Sequence, residues 1–232
     1  MTGAAPPDSP GVAELARKAG RRQQRGERTR LKIKETLIGL LNEQDYFDLT
    51  ITDICQAAHV ATGGFYFHYA RKADLLEEVI REHSADFWTT LDAALHYQDP
   101  YSALFHASTA LVRAYRDAPG LVRCFNQLAM TDRLYVDIWE SAAASWVSRL
   151  VEKLGASEAD GMALTNANAY SLLSFVDLLL FKIHVERDPG LVESAGGVDE
   201  ITENIAVLWH RALIGRSPDA ARLAYAAQGR GV

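Results

Sequence analysis

Residues 50–69 read TITDICQAAHVATGGFYFHY, and this stretch decides the fold of the N-terminal part of the chain. Its first half predicts a short helix, because apolar side chains recur there at the spacing that gives a helix one buried face. These side chains are Ile51, Ile54, Cys55 and Ala58. The second half is crowded with rings and predicts a second short helix.

The two helices are expected to be separated by a tight turn. Thr50 and Asp53 occupy the two positions of a capping box at the start of the first helix. His59-Val60-Ala61 then leads into the second helix, Thr62–Tyr69, and Val60 is expected to fill the angle between the helices. Two helices joined in this way make a helix-turn-helix, whose second helix enters the major groove of DNA.

Residues 65–76 read FYFHYARKADLL, which closely resembles the signature that closes the DNA-binding domain of the TetR family of bacterial repressors. That signature is an aromatic-rich helix, a short break, a lysine and a pair of leucines that open a fourth helix. The resemblance extends over roughly residues 28–80. It implies an all-α protein with an N-terminal three-helix helix-turn-helix domain and a C-terminal helical ligand-binding and dimerisation domain.

The chain departs from the usual family pattern at three places. His59 stands where the family often has glycine, so the turn needs a left-handed backbone or a slightly different geometry. Ala61 cannot cap the recognition helix through its side chain. Gly63 and Gly64 lie in the first turn of that helix and each costs it about 1 kcal/mol relative to alanine. They suggest close approach of the backbone to DNA, or a helix that orders on binding.

The resemblance also implies which residues contact DNA. Phosphate contacts hold position, and base contacts read sequence. The expected phosphate contacts are Thr52, Tyr66, His68 and Lys72, the last as a point charge. The expected base-edge contacts are Thr62, Gly63, Gly64 and Phe67, whereas Phe65 is expected to pack in the core. Ala61 and Arg28 complete the set of DNA-binding candidates.

The net charge of −6 conceals an uneven distribution along the chain. Residues 1–34 hold nine lysines and arginines against three acids, which leaves −12 on the remaining 198 residues. Such asymmetry is typical of a chain with one end that faces nucleic acid. Residues 1–26 are expected to be a basic, largely disordered arm. It is either a solvated tail or an arm that follows the phosphate backbone or enters a minor groove.

The composition argues against several other classes of protein. The hydrophobic share of 48% and the charged share of 23% are ordinary for a soluble globular protein, and no apolar run reaches 18 residues. The first 20 residues lack a signal-peptide core, so we expect a cytoplasmic protein. Cys55 and Cys124 are expected to be buried thiols rather than a redox pair. Metal-ligand spacings, phosphate loops and nucleophile elbows are missing, which predicts no enzyme and no cofactor.

Domain limits follow from the helical periodicity and from proline and glycine breaks. The DNA-binding domain is expected over residues 27–71, with its first helix at about Glu27–Glu43. An effector-binding and dimerisation domain is expected over residues 72–215, and a loose tail over residues 216–232. The fourth helix is expected at Lys72–Ala94. The expected helices of the body are Tyr101–Asp117, Pro119–Met130, Asp132–Leu154, Ser157–Glu186 and Val198–Ile214.

The longest expected helix of the body is apolar on nearly every side from Tyr170 on, through SLLSFVDLLLFKIH. A helix that is apolar all round is buried all round. By resemblance to the family, this helix and the last one form a four-helix dimer interface with a second copy of the chain. The alternative is core packing in a monomer.

A small-molecule pocket is expected in the body, because rings and polar groups fall at helix-interior positions. The candidate residues are Trp88, Phe105, Phe125, Trp139, Trp146, Asn166, Tyr170 and Asp177. Any single ring could instead belong to the core. Asp177 stands in the most apolar run, and a buried carboxylate needs a partner or a raised pKa. It either pairs with an arginine or histidine, or it contacts an effector.

These observations predict a homodimeric repressor that an apolar or aromatic effector releases from a palindromic operator. Its partners would be double-stranded DNA, the effector and a second copy of the chain, with no membrane and no metal. One alternative is an activator or a co-repressor-dependent regulator of the same family. The other is a helical ligand-binding protein whose DNA-binding domain is vestigial.

Overall fold

A computed structural model of the chain describes residues 10–155, 165–215 and 217–219, with side chains from residue 23 onward. Within those ranges the chain forms ten α-helices and one π-helical segment and no strand, so the all-α prediction is confirmed. The chain divides into two compact units, which we call the head (Met1–Val79) and the body (Ile80–Val232). The division falls inside the fourth helix and not at residue 71, and most of the expected tail lies outside the described residues.

The helices of the head agree with the sequence pattern except at the N-terminus. They are α1 (Pro10–Glu43), α2 (Ile51–Ala57), α3 (Thr62–His68) and the first turns of α4 (Lys72–Ala94). The expected start of α1 at Glu27 was wrong, because α1 is a continuous helix of 34 residues from Pro10. Alanine, arginine and glutamine make up nine of residues 10–26 and favour a helix enough to outweigh the three glycines there. The disordered arm is therefore wrong for residues 10–26, and residues 1–9 lie outside the described ranges.

The core of the head is built from one apolar face of each helix. Its fully buried members include Ile33, Leu37, Leu41, Ile54, Phe65 and Leu75. Tyr46 in the α1–α2 connection is buried, whereas its neighbour Phe47 is 64% exposed. The two side chains of adjacent residues point to different sides of the connection, so only one of them reaches the core.

The helices of the body are α5 (Pro100–Asp117), α6 (Pro119–Ala129), α7 (Arg133–Gly155), α8 (Asn166–Leu180), α9 (Pro189–Ala195) and α10 (Val198–Ile214). A π-helical segment, Phe181–Glu186, continues α8. The sequence pattern missed α9, because the proline and glycines that flank it resemble a loop. Asp188 caps it by accepting a hydrogen bond from the backbone N–H of Leu191 at 3.1 Å. Residues 156–164, expected to begin the long helix, lie outside the described ranges.

The core of the body contains two fully buried tryptophans, Trp146 of α7 and Trp209 of α10, whose ring centroids lie 6.1 Å apart. Around the long helix the burial is less complete. The stretch Asn166–Glu186 is long and apolar enough to cross a membrane by length and composition alone, with a mean hydropathy of 1.2. The core helix of a soluble protein passes the same test, but only 28% of the apolar window in this stretch is buried, so much of this helix is exposed among the described residues.

Candidate nucleic-acid surface and effector cavity

The start of the helix-turn-helix is fixed by the predicted capping box, which the structure confirms. The side-chain oxygen of Thr50 accepts a hydrogen bond from the backbone N–H of Asp53 at 3.2 Å. In return, the Asp53 carboxylate accepts one from the backbone N–H of Thr50 at 2.8 Å. The Thr50 hydroxyl also donates to that carboxylate at 2.6 Å, and this hydrogen bond, followed by the one from the Thr50 backbone N–H, lowers the pKa of Asp53. Asp53 therefore fills the role that glutamate or glutamine usually has.

The turn between α2 and α3 requires the left-handed backbone that was one of the two expected solutions. His59 has a φ of 51°, in the region that glycine adopts without strain. The backbone N–H of Val60 then donates to the carbonyl of Cys55 at 3.0 Å and closes the turn. A non-glycine residue therefore holds a conformation that costs it free energy.

Helix α3 separates its rings between the core and the surface. Phe65 is fully buried, as predicted, whereas Tyr66 is 55% exposed and Phe67 is 72% exposed. His68 is half-buried, and Thr52 on α2 is exposed. The exposed side chains of α3 can therefore reach a ligand without any rearrangement of the head.

The start of α3 offers an open surface of backbone. Ala61 is the N-cap and makes no side-chain hydrogen bond, and Thr62 and Gly63 are exposed. A Cβ added at Gly63 or Gly64 would meet nothing within 4 Å, and neither residue has a positive φ. The packing of the head therefore leaves room for a side chain at either position.

Lys72 has a different environment from the expected one. Its ammonium group donates hydrogen bonds to the carbonyl oxygen of Tyr46, at 2.7 Å, and to that of Leu49. It also lies 4.2 Å from the centre of the Tyr46 ring. These contacts tie the start of α4 to the α1–α2 connection. They favour a packing role for Lys72 over the point charge for phosphate that the sequence predicts.

A second polar network fixes α1 to α4 within the head. Arg30 pairs with Glu78 and donates to the hydroxyl of Tyr69 at 3.3 Å, and Lys34 lies 3.2 Å from Glu78. Burial acts to raise the pKa of Glu78, but the hydrogen bonds from the two cations hold that pKa below its ordinary value. Arg28 on the same helix is exposed.

The body contains a cavity of about 240 Å³, lined by residues of five helices from α4 to α8. Four of the predicted effector residues lie in its wall: Phe125, Trp139, Tyr170 and Asp177. The ring of Trp139 stacks on that of Phe87, with centroids 5.6 Å apart and planes inclined by 18°. The cavity therefore combines an aromatic wall with a few polar groups, an arrangement common in pockets for small organic molecules.

The other four predicted residues do not line this cavity, so their contact with an effector stays a prediction. Trp146 packs on Trp209 in the core, and Trp88 lies behind the wall with its ring 5.1 Å from Trp139. Phe105 is half-buried against Tyr101, with centroids 6.2 Å apart. Asn166 is the exposed first residue of α8 and donates to the Ser148 hydroxyl at 3.1 Å, too near the helix end to face inward.

Asp177 has an uncharged partner where an arginine or a histidine was expected. The hydroxyl of Tyr115 on α5 donates a hydrogen bond to its Oδ1. Burial raises the pKa of the Asp177 carboxyl, and the hydrogen bond from Tyr115 opposes this effect only in part. Burial likewise raises the pKa of Tyr115 well above its ordinary value, so its proton stays on the hydroxyl.

Sequence reasoning missed several polar residues of the wall, His83 above all. Its Nε2 is buried without a hydrogen-bond partner in the described part of the chain, and burial lowers the pKa of the imidazole. Ser84, Asn126 and Glu140 also line the cavity. Its spacing in the sequence could have placed His83 on the buried face of α4, because it lies one helical turn from Ile80 and from Phe87, both of which are buried. No cluster of metal-ligating side chains occurs among the described residues.

Residues 35–79 match the family model for bacterial regulatory proteins of the TetR family. Over 78 residues, which are 33% of this chain, the sequence is 35% identical to the HTH-type transcriptional regulator YxbF of Bacillus subtilis (strain 168). The matched segment covers only 20% of the length of that relative, so the similarity concerns one part of each protein.

Solved structures with this fold include TetR-family regulators from several bacteria. A regulator from Syntrophomonas wolfei has a TM-score of 0.59 and 18% identity, over 80% of this chain and 94% of that one. PfmR from Thermus thermophilus has a TM-score of 0.60 and 17% identity, over 78% and 98%. A TerR/AcrR-family regulator from Aquifex aeolicus has a TM-score of 0.55 and 16% identity, over 77% and 95%. At these identities the likeness concerns the fold.

Proposed function

We propose that the chain, whose residues 35–79 match the TetR family of bacterial regulatory proteins, is a homodimeric repressor that a small effector releases from a palindromic operator. As a regulator of this family it is a DNA-binding protein and not an enzyme. The observation that carries the finer proposal is the pairing of an exposed recognition helix in the head with a cavity in the body.

The proposed DNA surface comprises the exposed residues of the helix-turn-helix. Thr62, Gly63, Gly64 and Phe67 face the base edges, and the open space over the two glycines would let a base pair approach the backbone. The residues proposed to hold the phosphates are Thr52, Tyr66 and His68, with Lys72 supporting them indirectly, and Arg28 and Ala61 complete the proposed DNA surface. Each subunit would place α3 in successive major grooves, about 34–36 Å apart.

The proposed dimer interface uses α8 and α10. Phe175 and Leu178 on α8 are 66% and 54% exposed, and Leu208 on α10 is 52% exposed. Large apolar side chains grouped on two helices favour a partner surface, because leaving them in water costs about 25 cal/mol for each Å². A second copy of the same face would cover them symmetrically.

Effector release would be a shift in population. An effector releases DNA only if it binds the DNA-incompetent arrangement more tightly than the competent one. Helix α4 is the proposed lever, because its first residues pack in the core of the head while His83, Ser84 and Phe87 line the cavity of the body. We place this activity in the cytoplasm, where such regulators meet DNA.

The test is a mobility shift with duplex DNA from upstream of the protein's own gene, at about 50 and 200 mM salt. We expect a specific complex of two chains that weakens with salt, and less transcript when the protein is added to an in vitro reaction on that promoter. Phe67→Ala should abolish the specific shift, whereas Met130→Ala, at an 87% exposed site on the body, should not. A monomer that ignores this DNA at low salt would refute the proposal, and a rise in transcript would favour an activator.

A further inference from the structure

The charge of the cavity wall is one-sided. Sixteen described residues line it, and they include two carboxylates, Asp177 and Glu140, but no lysine and no arginine. His83 does not supply a positive charge at neutral pH, because burial lowers the pKa of its imidazole. A ligand in this cavity therefore meets negative charge and neutral polar groups.

The two carboxylates differ in how far their charge is already balanced. Glu140 is exposed, and its Oε2 lies 3.5 Å from the guanidinium of Arg133, which also pairs with Asp137 at 3.0 Å. Asp177 is half-buried, and its Oδ1 accepts from the neutral hydroxyl of Tyr115. Its Oδ2 has no hydrogen-bond donor in the described ranges. Asp177 is therefore the carboxylate whose charge the protein leaves unbalanced inside the cavity.

Aromatic rings line the same cavity as this carboxylate. Phe87 and Trp139 stack, and the ring of Phe125 lies 6.2 Å from that of Trp139. The face of an aromatic ring attracts a cation, tryptophan most strongly, and the attraction grows when water is excluded. Burial of a carboxylate is costly unless a partner compensates it. A cation in the cavity would satisfy both kinds of group at once.

We infer that the cavity takes a small organic cation, a protonated or quaternary amine on an aromatic or aliphatic body, with its nitrogen against Asp177 and its body against Phe87 and Trp139. This inference rests on the proposed function and names the class of its effector. The volume of about 240 Å³ lies below the usual range of about 300–1,000 Å³ for ligand pockets, so the body is small. An anion would face Asp177 without a compensating cation, and a neutral ligand would leave Asp177 with Tyr115 alone.

The test compares three probes of similar size with the full chain: phenyltrimethylammonium, its neutral isostere tert-butylbenzene, and benzenesulfonate. Quenching of tryptophan fluorescence reports binding, because Trp139 lies in the wall. We expect the cation to bind at least about tenfold more tightly than the isostere, a ratio that corresponds to about 1.4 kcal/mol. Benzenesulfonate should bind more weakly than either.

Asp177→Asn tests the role of the charge, because the amide keeps an oxygen that can accept from Tyr115. It should abolish the preference for the cation and leave the affinity for tert-butylbenzene within about threefold. Glu152→Gln, at an exposed site on α7 outside the cavity wall, should change neither affinity.

Equal affinities for the cation and the isostere would overturn the inference, as would a wild-type chain that does not bind the cation or an Asp177→Asn variant that keeps the preference. A mobility shift run with the same probes separates this outcome from the proposed function. If the isostere releases DNA as well as the cation does, the proposed function stands and the effector class fails. If the chain never binds the DNA, the proposed function fails whatever the cavity binds.

Discussion

The head exposes its candidate functional groups to solvent, whereas the body encloses its own in a cavity. In the head the proposed contacts add little to the packing, as with Phe67 at 72% exposure. In the body they line the cavity wall and bond to one another, as Tyr115 does with Asp177. The difference teaches that function and stability can be altered separately in the head but are coupled in the body.

The largest expected effect tests this separation within one helix. Phe65→Ala should lower the free energy of unfolding of the head by about 3–5 kcal/mol, because Phe65 is fully buried. Phe67→Ala, two residues on, should change that free energy by no more than about 0.5 kcal/mol, because its ring is exposed. Denaturant unfolding followed by circular dichroism measures both. Similar losses from the two variants would show that the exposed ring also holds the head together.

Lys72 gives the next largest effect, and it belongs with the packing of the head. Lys72→Met keeps the aliphatic stem but removes the donor to the carbonyls of Tyr46 and Leu49, and should cost about 1.5–3 kcal/mol of stability. The salt dependence of DNA binding by the folded variant should keep its slope. A slope reduced by about 0.9 with unchanged stability would mean that Lys72 mainly neutralises a phosphate.

The sequence indicated the fold of the head more fully than the cavity of the body. The capping box of Thr50 and Asp53 and the burial of Phe65 depend on neighbours within one or two turns, so local spacing predicts them. The start of α1 at Pro10 was missed because Gly20 and the run of basic residues argue against a stable helix before Glu27.

Whether an inward-facing residue lines the cavity depends on its position along its helix. A periodic pattern shows which face a residue lies on but not whether that position borders the cavity. Trp139 and Trp146 lie two turns apart on the same face of α7, so the sequence predicts that both point inward. Trp139 meets the cavity, whereas Trp146 meets Trp209 in the core. The neighbouring helices decide which of these two inward-facing rings borders the cavity. His83 was missed for the same reason, since its role follows from the helices that face it.

The coupling expected in the body can be measured at Tyr115. Tyr115→Phe removes the donor to Asp177 and should cost about 1–3 kcal/mol of stability. That hydrogen bond favours the ionised carboxylate and so lowers a pKa that burial raises, and its loss raises the pKa of Asp177 further. A carboxyl whose folded pKa lies above its unfolded value loses stability as the pH rises through the folded pKa. The stability that Tyr115→Phe loses relative to the wild type should therefore increase as the pH rises.

Tyr170→Phe is the matched control for this measurement, because Tyr170 also lines the cavity but its hydroxyl makes no hydrogen bond in the described part of the chain. It should change stability by no more than about 0.5 kcal/mol at any pH. Thermal unfolding at several pH values from about 5 to 8 compares the two variants with the wild type. If the stability lost in Tyr115→Phe does not vary with pH, the ionisation of Asp177 does not contribute to the stability of the body.

The smallest expected effect concerns backbone strain in the turn of the head. His59 holds a φ of 51°, so His59→Gly should relieve strain of about 1 kcal/mol, while glycine also adds freedom to the unfolded chain. The two effects oppose each other and leave a gain of about 0.5 kcal/mol. Ala57→Gly at the end of α2 adds the same freedom without relieving strain and should lose about 0.5–1 kcal/mol. The difference between the two variants in denaturant unfolding isolates the strain, because the unfolded-state contribution cancels. If both variants lose equally, the turn is unstrained and the histidine fits it as well as the usual glycine.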